Sequence, residues 1–330
     1  MRTRRAERHP EFRAVIVSRR PMLYRGGARE AYDQPAHVRA GSGVVYFGPG
    51  LAVVQDDTNI VGLVDPASGL AEALLLPSEG GVRQFGTARG NKQKKLDFES
   101  ALTLSSGELV AFGSGSTAAR FRVLRARPGG SLRVFEAPTL YRAMLEDPSF
   151  SGSELNLEGA ARVGDRVYLF QRGNGAPRGD LTAVNATAWV SAAALEAALD
   201  ADEAGRDAAP IALCDVTTWE LGDVAGVPLT FTDATAHPDG VSLVWLGAAE
   251  ASPDTYNDGA CVGAAVGFLD AERAFFAPLE DAEGRPVALK CEGLVVDRDD
   301  PSRVWVVVDR DDPSVPSELL AVQLDWPKVT

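Results

Sequence analysis

Cysteine is scarce in this chain: Cys214, Cys261 and Cys291 are the only three. An odd number with no close pair excludes a disulfide framework and a cysteine zinc site. It leaves three reduced thiols, as expected of a cytoplasmic protein. Histidine is as rare, with His9, His37 and His237 scattered along the chain and read as surface residues. No run approaches eighteen apolar residues, so no membrane-spanning helix is expected. The basic start, Met1 to Arg5, leads into Glu7, Arg8 and His9 rather than an apolar segment, so no export signal is expected. Positive charge is in deficit: Lys+Arg number 33 against Asp+Glu 46, a net charge of −13. Such a surface repels nucleic acid and anionic lipid as general partners. A GxSxG elbow is missing, and the glycine-rich stretch Gly113 to Thr117 lacks the lysine of a phosphate loop.

What the sequence does contain is a repeat. An acidic residue is followed by a small one and a short apolar strand; then come a Gly/Asp turn, a strongly apolar strand and a polar cluster. The clearest copies begin at Glu99, Glu158, Asp233 and Glu292. Their second strands are Leu109–Phe112, Val167–Phe170, Leu243–Leu246 and Val304–Val308. A weaker copy places Arg39 in the acidic slot and continues through Leu51–Val54. The steps are 60, 59, 75 and 59 residues from Arg39 through Glu99, Glu158 and Asp233 to Glu292. Each unit offers a third apolar strand and most offer a fourth. Trp189, Ala192, Leu195 and Leu199 recur at helical spacing, so a helical insertion is expected near 187–205. Four strands per sixty-residue unit is the arithmetic of a β-propeller. The expectation is therefore an all-β chain folded as a single β-propeller domain over 1–330, with about five four-stranded blades and six as the alternative. The last unit lacks its outer strand, and residues 12–17 near the N-terminus lack a unit. Pairing the two closes the ring and removes an exposed edge.

In a propeller the first strand of each blade lines the central channel. The repeat thus brings Glu99, Glu158, Asp233 and Glu292 toward one axis, with Arg39 as the fifth member. Crowded carboxylates need compensation, and hard oxygen donors without Cys or His favour Ca²⁺. These four acids are the candidate metal ligands. Alternatively, they cap backbone N–H groups of the next blade. A second polar set ends the second strands and surrounds the channel mouth. From it and the flanking loops come the candidate ligand-binding residues Arg39, Gln55, Lys95, Ser116, Arg172, Asn174, Glu250, Arg310 and Asp311. Asp57 and Asp309 are candidate general bases. Lysines beside the channel acids, Lys95 and Lys290, can pair with those acids or with a phosphate. The arginines suit a small anionic ligand held partly through a metal.

The copies Leu157 to Ala161 and Cys291 to Val295, the latter followed by Val307 to Asp312, resemble the "EGL…D" blades of bacterial propellers described as phytase-like or esterase-like. Pro316 to Leu320 is similar to the ending of an uncharacterised family of that type. A looser similarity is to calcium-dependent apyrases, five-bladed propellers with a central Ca²⁺ ringed by Glu and Ser. This resemblance implies Ca²⁺ on Glu99, Glu158 and Glu292 and hydrolysis of phosphate esters. Arg39 and Asp233 depart from the apyrase pattern. The reading is a propeller with an acidic channel site that binds a small ligand through Ca²⁺, with a Ca²⁺-dependent hydrolase as the alternative.

Overall fold

The computed structural model describes residues 2–251 and 259–327. Four short strands come first: β1 (Arg2–Arg5), β2 (Glu7–Arg8), β3 (Arg13–Pro21) and β4 (Leu23–Tyr24). Five repeating units follow. The first holds β5 (Gly41–Phe47), β6 (Gly50–Gln55), β7 (Ile60–Val64) and β8 (Leu70–Leu75). The second holds β9 (Phe98–Thr103), β10 (Leu109–Gly113), β11 (Arg122–Ala126) and β12 (Leu132–Glu136). Helices α1 (Pro138–Leu145) and α2 (Pro148–Ser151) lead to β13 (Leu157–Val163), β14 (Arg166–Gln171) and β15 (Asn185–Ser191). Helix α3 (Ala192–Glu203) then precedes β16 (Cys214–Glu220) and the short β17 (Asp223–Val224). The fourth unit is β18 (Val227–Ala236), β19 (Leu243–Glu250), β20 (Cys261–Leu269) and β21 (Ala274–Glu280). The fifth is β22 (Lys290–Val296), β23 (Arg303–Asp309) and β24 (Glu318–Asp325).

Within each unit, consecutive strands pair antiparallel, and the first strand lies innermost. The five inner strands touch in a closed cycle: β5 with β9, β9 with β13, β13 with β18, β18 with β22, and β22 with β5. Five apolar layers fill the spaces between neighbouring units. This explains why second strands such as Leu51–Val54 are apolar throughout rather than alternating. Both faces are covered by adjacent units, so each side chain leaves water whichever way it points. The result is a β-propeller.

The missing outer strand of the fifth unit is β3, which pairs antiparallel with β24 from Arg13↔Asp325 to Pro21↔Glu318. The rest of the N-terminal segment continues the stitching. β1 runs parallel to β16, β2 to β21 and β4 to β8, so residues 2–24 join the outer edges of the third, fourth, fifth and first units in turn. The helical insertion is shorter than expected. Residues 185–191 form the third strand of their unit, with Ala186, Ala188 and Val190 buried on one face, and the helix begins at Ala192. The third and fourth strands of this unit are therefore 185–191 and 214–220, with the helix between them. Trp189 had suggested a helix because its spacing to Ala192, Leu195 and Leu199 matches one. In the strand its indole Nε1 donates to Asp215 at 2.7 Å, and Arg166 lies over its ring.

Candidate functional site at the channel mouth

Every inner strand carries a β-bulge at the same level. The register skips one residue between 41 and 43, 98 and 100, 157 and 159, 231 and 233, and 291 and 293. The bulged residues are Ser42, Glu99, Glu158, Thr232 and Glu292. A bulge leaves its extra residue outside the ladder and re-aims its side chain. The equivalent slot is thus three glutamates and two hydroxyls, and two expected members are corrected. Arg39 lies three residues ahead of the slot, and Asp233 lies one residue past it.

The hydroxyl members join neighbouring units. Ser42 Oγ donates to the Phe98 carbonyl, and Thr232 Oγ1 donates to the Cys291 carbonyl at 2.7 Å. Each acceptor is the residue just before the next glutamate of the ring. Asp233 acts as a cap: Oδ1 accepts from its neighbour Ala234 N and Oδ2 from Leu294 N of the next unit, both at 2.7 Å. With one backbone donor on each oxygen and a place outside the cavity lining, it ties two units together and does not stand with the three glutamates. The small residue after each glutamate has a steric reason. A Cβ added at Gly293 would meet Gly43 C and Val44 N at 3.0 Å, and one at Gly159 would meet Ala234 N at 3.0 Å.

Glu99, Glu158 and Glu292 do converge. With Ser42 they line a cavity of about 60 Å³, together with Asp56, Asp97, Asp309, Asn156 and Asn174. Five cations, Lys92, Lys95, Arg120, Arg172 and Lys290, line it too, against six carboxylates. The acidic ring expected from sequence is therefore nearly neutral. Lys95 Nζ lies 2.6 Å from both Asp56 Oδ2 and Asp97 Oδ1, and Arg120 lies 2.9 Å from Asp97 Oδ2. Arg172 reaches three units, at 3.4 Å from Glu158, 2.8 Å from Glu250 and 3.7 Å from Glu292. Lys290 stands 2.8 Å from Asp311, 3.4 Å from Asp309 and 3.8 Å from Glu292.

The pairing leaves a remainder. Glu158 Oε2 and Glu292 Oε2 accept no hydrogen bond among the described residues, although both side chains are buried. Burial pushes the Glu158 carboxyl up to about 7, with Arg172 and Lys290 pulling it back. Glu292 is held well above the usual carboxylate range for the same reason. Glu99 is also well above it, through burial and repulsion from Asp97, Glu158 and Asp56. At Asp309, burial raises the carboxyl to about 7. An uncompensated buried charge is costly, which is the common physical cause of these upward shifts.

Above the cavity a wider groove of about 440 Å³ shares Asp56, Lys92, Lys95, Lys290 and Asp309 with it. Arg39, Asp57, Phe85, Asp311 and Pro313 line its outer part. Arg39 pairs there with Asp57 and donates to Gln84. Asp57 is raised to about 6, first by burial and then by Asp56. Of the other expected residues, Asn174 lines the cavity and accepts from Asn156 at 3.2 Å. Gln55 lies outside it. Its amide accepts from Arg39 N and donates to the Ile60 carbonyl, just as Gln171 clamps Asn156 N and the Glu154 carbonyl. Ser116 supports Arg120, Glu250 supports Arg172, and Arg310 pairs with Glu318 away from the cavity. The residues missed as cavity members, Arg120, Asn156 and Lys92, follow no acidic pattern. Asn156 did carry a signal: Asp97, Asn156 and Lys290 each stand two residues before a ring glutamate.

A metal can be tested against these donors. Asp56, Asp97 and Glu99 bring oxygens within 4.8 Å of one another, but Lys95 already places its ammonium against two of them. An oxygen that accepts no hydrogen bond among the described residues remains on Glu158 and on Glu292, the latter 3.7 Å from Arg172, and these glutamates with Glu99 are the residues that could hold a hard cation.

Fold and site together define a β-propeller with a charged cavity at the mouth of its central channel. Residues 37–324 match the Family of unknown function (DUF6929), and the chain belongs to that family. No curated protein matches it. Among solved structures it is similar to the glutaminyl cyclase of Myxococcus xanthus, at 10% identity and TM-score 0.48 over 96% of this chain and 99% of that one. It is also similar to an auxiliary nutrient binding protein from Bacteroides thetaiotaomicron, at 10% identity and TM-score 0.40 over 93% and 76%. The Neurospora crassa Pan2 WD40 domain shares 8% identity at TM-score 0.37 over 88% and 76%.

Proposed function

We propose that this five-bladed propeller binds a small, positively charged ligand at the mouth of its central channel, with Ca²⁺ on Glu99, Glu158 and Glu292 as the inorganic candidate. One observation carries the reading: the buried polar atoms left over at the cavity, Glu158 Oε2 and Glu292 Oε2, are acceptors. A buried acceptor without a donor costs about 1–3 kcal/mol, so a ligand that supplies a donor or a cation is stabilised there. A phosphate would add acceptors where acceptors are already in excess. The lysines and arginines that would hold it are engaged by Asp56, Asp97, Glu158, Glu250 and Asp309. The small anionic ligand and the phytase-like or apyrase-like hydrolase reading are therefore the weaker ones.

The test couples binding to pH. A carboxyl whose pKa is raised by folding binds protons more tightly in the folded state. Stability is therefore lost as pH rises from the unfolded value, 4.5 for Glu158, through about 7. The loss expected is of the order of a few kcal/mol. Melting temperature of the bare protein should fall from about pH 5 to about pH 8, and saturating Ca²⁺ should restore it. Glu158→Gln should flatten the fall and abolish the Ca²⁺ effect. A Ca²⁺ response identical in wild type and E158Q would refute calcium at this ring.

A further inference from the structure

Arg172 follows directly on β14, and its side chain is only 6% exposed. Its contacts divide into two groups. Nε donates to Thr230 Oγ1 at 3.2 Å and Nη2 to Glu250 Oε2 at 2.8 Å, both in the fourth unit and both outside the cavity lining. Nη1 instead faces two ring glutamates, at 3.4 Å from Glu158 Oε1 in the third unit and 3.7 Å from Glu292 Oε2 in the fifth. Among the described residues Arg172 alone pairs with two ring glutamates. Lys290 pairs with Glu292 only, at 3.8 Å, and stands nearer to Asp311, at 2.8 Å. Burial raises the Glu158 and Glu292 carboxyls, and Arg172 is the larger of the two cationic influences opposing it at each.

We propose that Arg172 is a built-in competitor for the ligand cation and sets the affinity of the ring. Its Nη1 balances Glu158 and Glu292 in the bare protein and yields both when a cation enters, while Nε and Nη2 stay on Thr230 and Glu250. This rests on the cationic reading and adds the residue that tunes it. A guanidinium does not shed its proton, so its charge cannot be removed to make room. The cavity of about 60 Å³ has space for one ion and a few waters, so Nη1 and an incoming cation compete for the same carboxylate oxygens. The two shorter contacts lie outside the ring, which leaves the guanidinium an anchor once the two longer ones are given up.

Calorimetric titration of the full chain with Ca²⁺ tests this at about pH 8, above the Glu158 value of about 7. Arg172→Gln should bind Ca²⁺ about tenfold more tightly than wild type, because a like charge beside the site is gone. Bare R172Q should melt below wild type, and saturating Ca²⁺ should raise its melting temperature by more than it raises that of wild type. Glu250→Gln should do the opposite to binding and weaken it about tenfold, because the guanidinium loses a carboxylate anchor outside the ring and leans on Glu158 and Glu292. That weakening should vanish in the double variant R172Q/E250Q, whereas a loss carried by the charge of Glu250 itself would persist there. Equal or weaker Ca²⁺ binding by folded R172Q would overturn the proposal, as would an E250Q effect that survives in the double variant. Should R172Q not fold, E250Q decides alone, and unchanged affinity there refutes the competitor. Binding by R172Q but not by wild type would uphold the competition and remove Ca²⁺ as the native ligand. Binding by neither would overturn both readings together.

Discussion

At the scale of single residues, neighbours in sequence have opposite duties. Thr232 and Asp233 are adjacent, yet the bulge turns the hydroxyl into the position that Glu99, Glu158 and Glu292 occupy elsewhere. The carboxylate is left to the backbone of the next unit. Asp233→Ala should therefore act on stability alone. It strands Leu294 N in a buried setting, at a cost of about 1–3 kcal/mol. Denaturant unfolding should show that loss, while Ca²⁺ affinity stays within twofold of wild type. A large loss of affinity in a folded D233A protein would return Asp233 to the ligand set. Glu158 is the contrasting case, since its side chain lines the cavity and its Oε2 accepts no hydrogen bond among the described residues.

At the scale of elements, the bulged inner strand is the repeating device. It points one side chain per unit at the axis and brings the next residue against a neighbouring backbone. Gly293 shows the constraint most sharply, because Gly43 and Val44 of the first unit leave its Cβ only 3.0 Å. Gly293→Ala must push the two strands apart at the level of the ring. The cost expected is about 1–3 kcal/mol in unfolding experiments, with weakened ligand binding as the glutamates separate. Unchanged stability and affinity would show that the ring accommodates a methyl group. The acid-then-small pattern was legible because both halves are needed in the same place. The bulge was not: an extra residue leaves no mark on apolar alternation, and a reading without it misplaced the slot at Arg39 and Asp233. Helix α3 was misjudged at its start for a related reason. Ala-rich sequence satisfies a period of two and a period of 3.6 equally, and the pairing of β15 with β14 decided between them.

At the scale of the whole molecule, the N-terminal segment acts as a belt. Residues 2–24 add strands to the outer edges of the third, fourth and first units and supply the outer strand of the fifth. Deleting residues 1–24 leaves the β24 edge bare and removes the closure between the first and fifth units. The shortened chain should aggregate on size-exclusion chromatography and lose its cooperative melting transition. A monodisperse, cooperatively melting product would show that the apolar layers alone hold the ring.

The sequence by itself determined the strands, their grouping into repeating units and the two chain ends left to complete one another. Apolar runs and turn residues are local, and burial on both faces writes itself into them directly. It also determined that Glu99, Glu158 and Glu292 share a place, since a repeat carries equivalent residues to equivalent positions. Only the tertiary structure decided the state of that place. Lys95 reaches Asp56, and Arg172 reaches Glu250 and Glu292, across unit boundaries, and those distances depend on how the units close around the axis. Coulomb energy falls with separation and dielectric, neither of which a one-dimensional pattern contains. Thus an acidic ring in sequence became a nearly balanced charge network in space, with Glu158 Oε2 and Glu292 Oε2 accepting no hydrogen bond among the described residues.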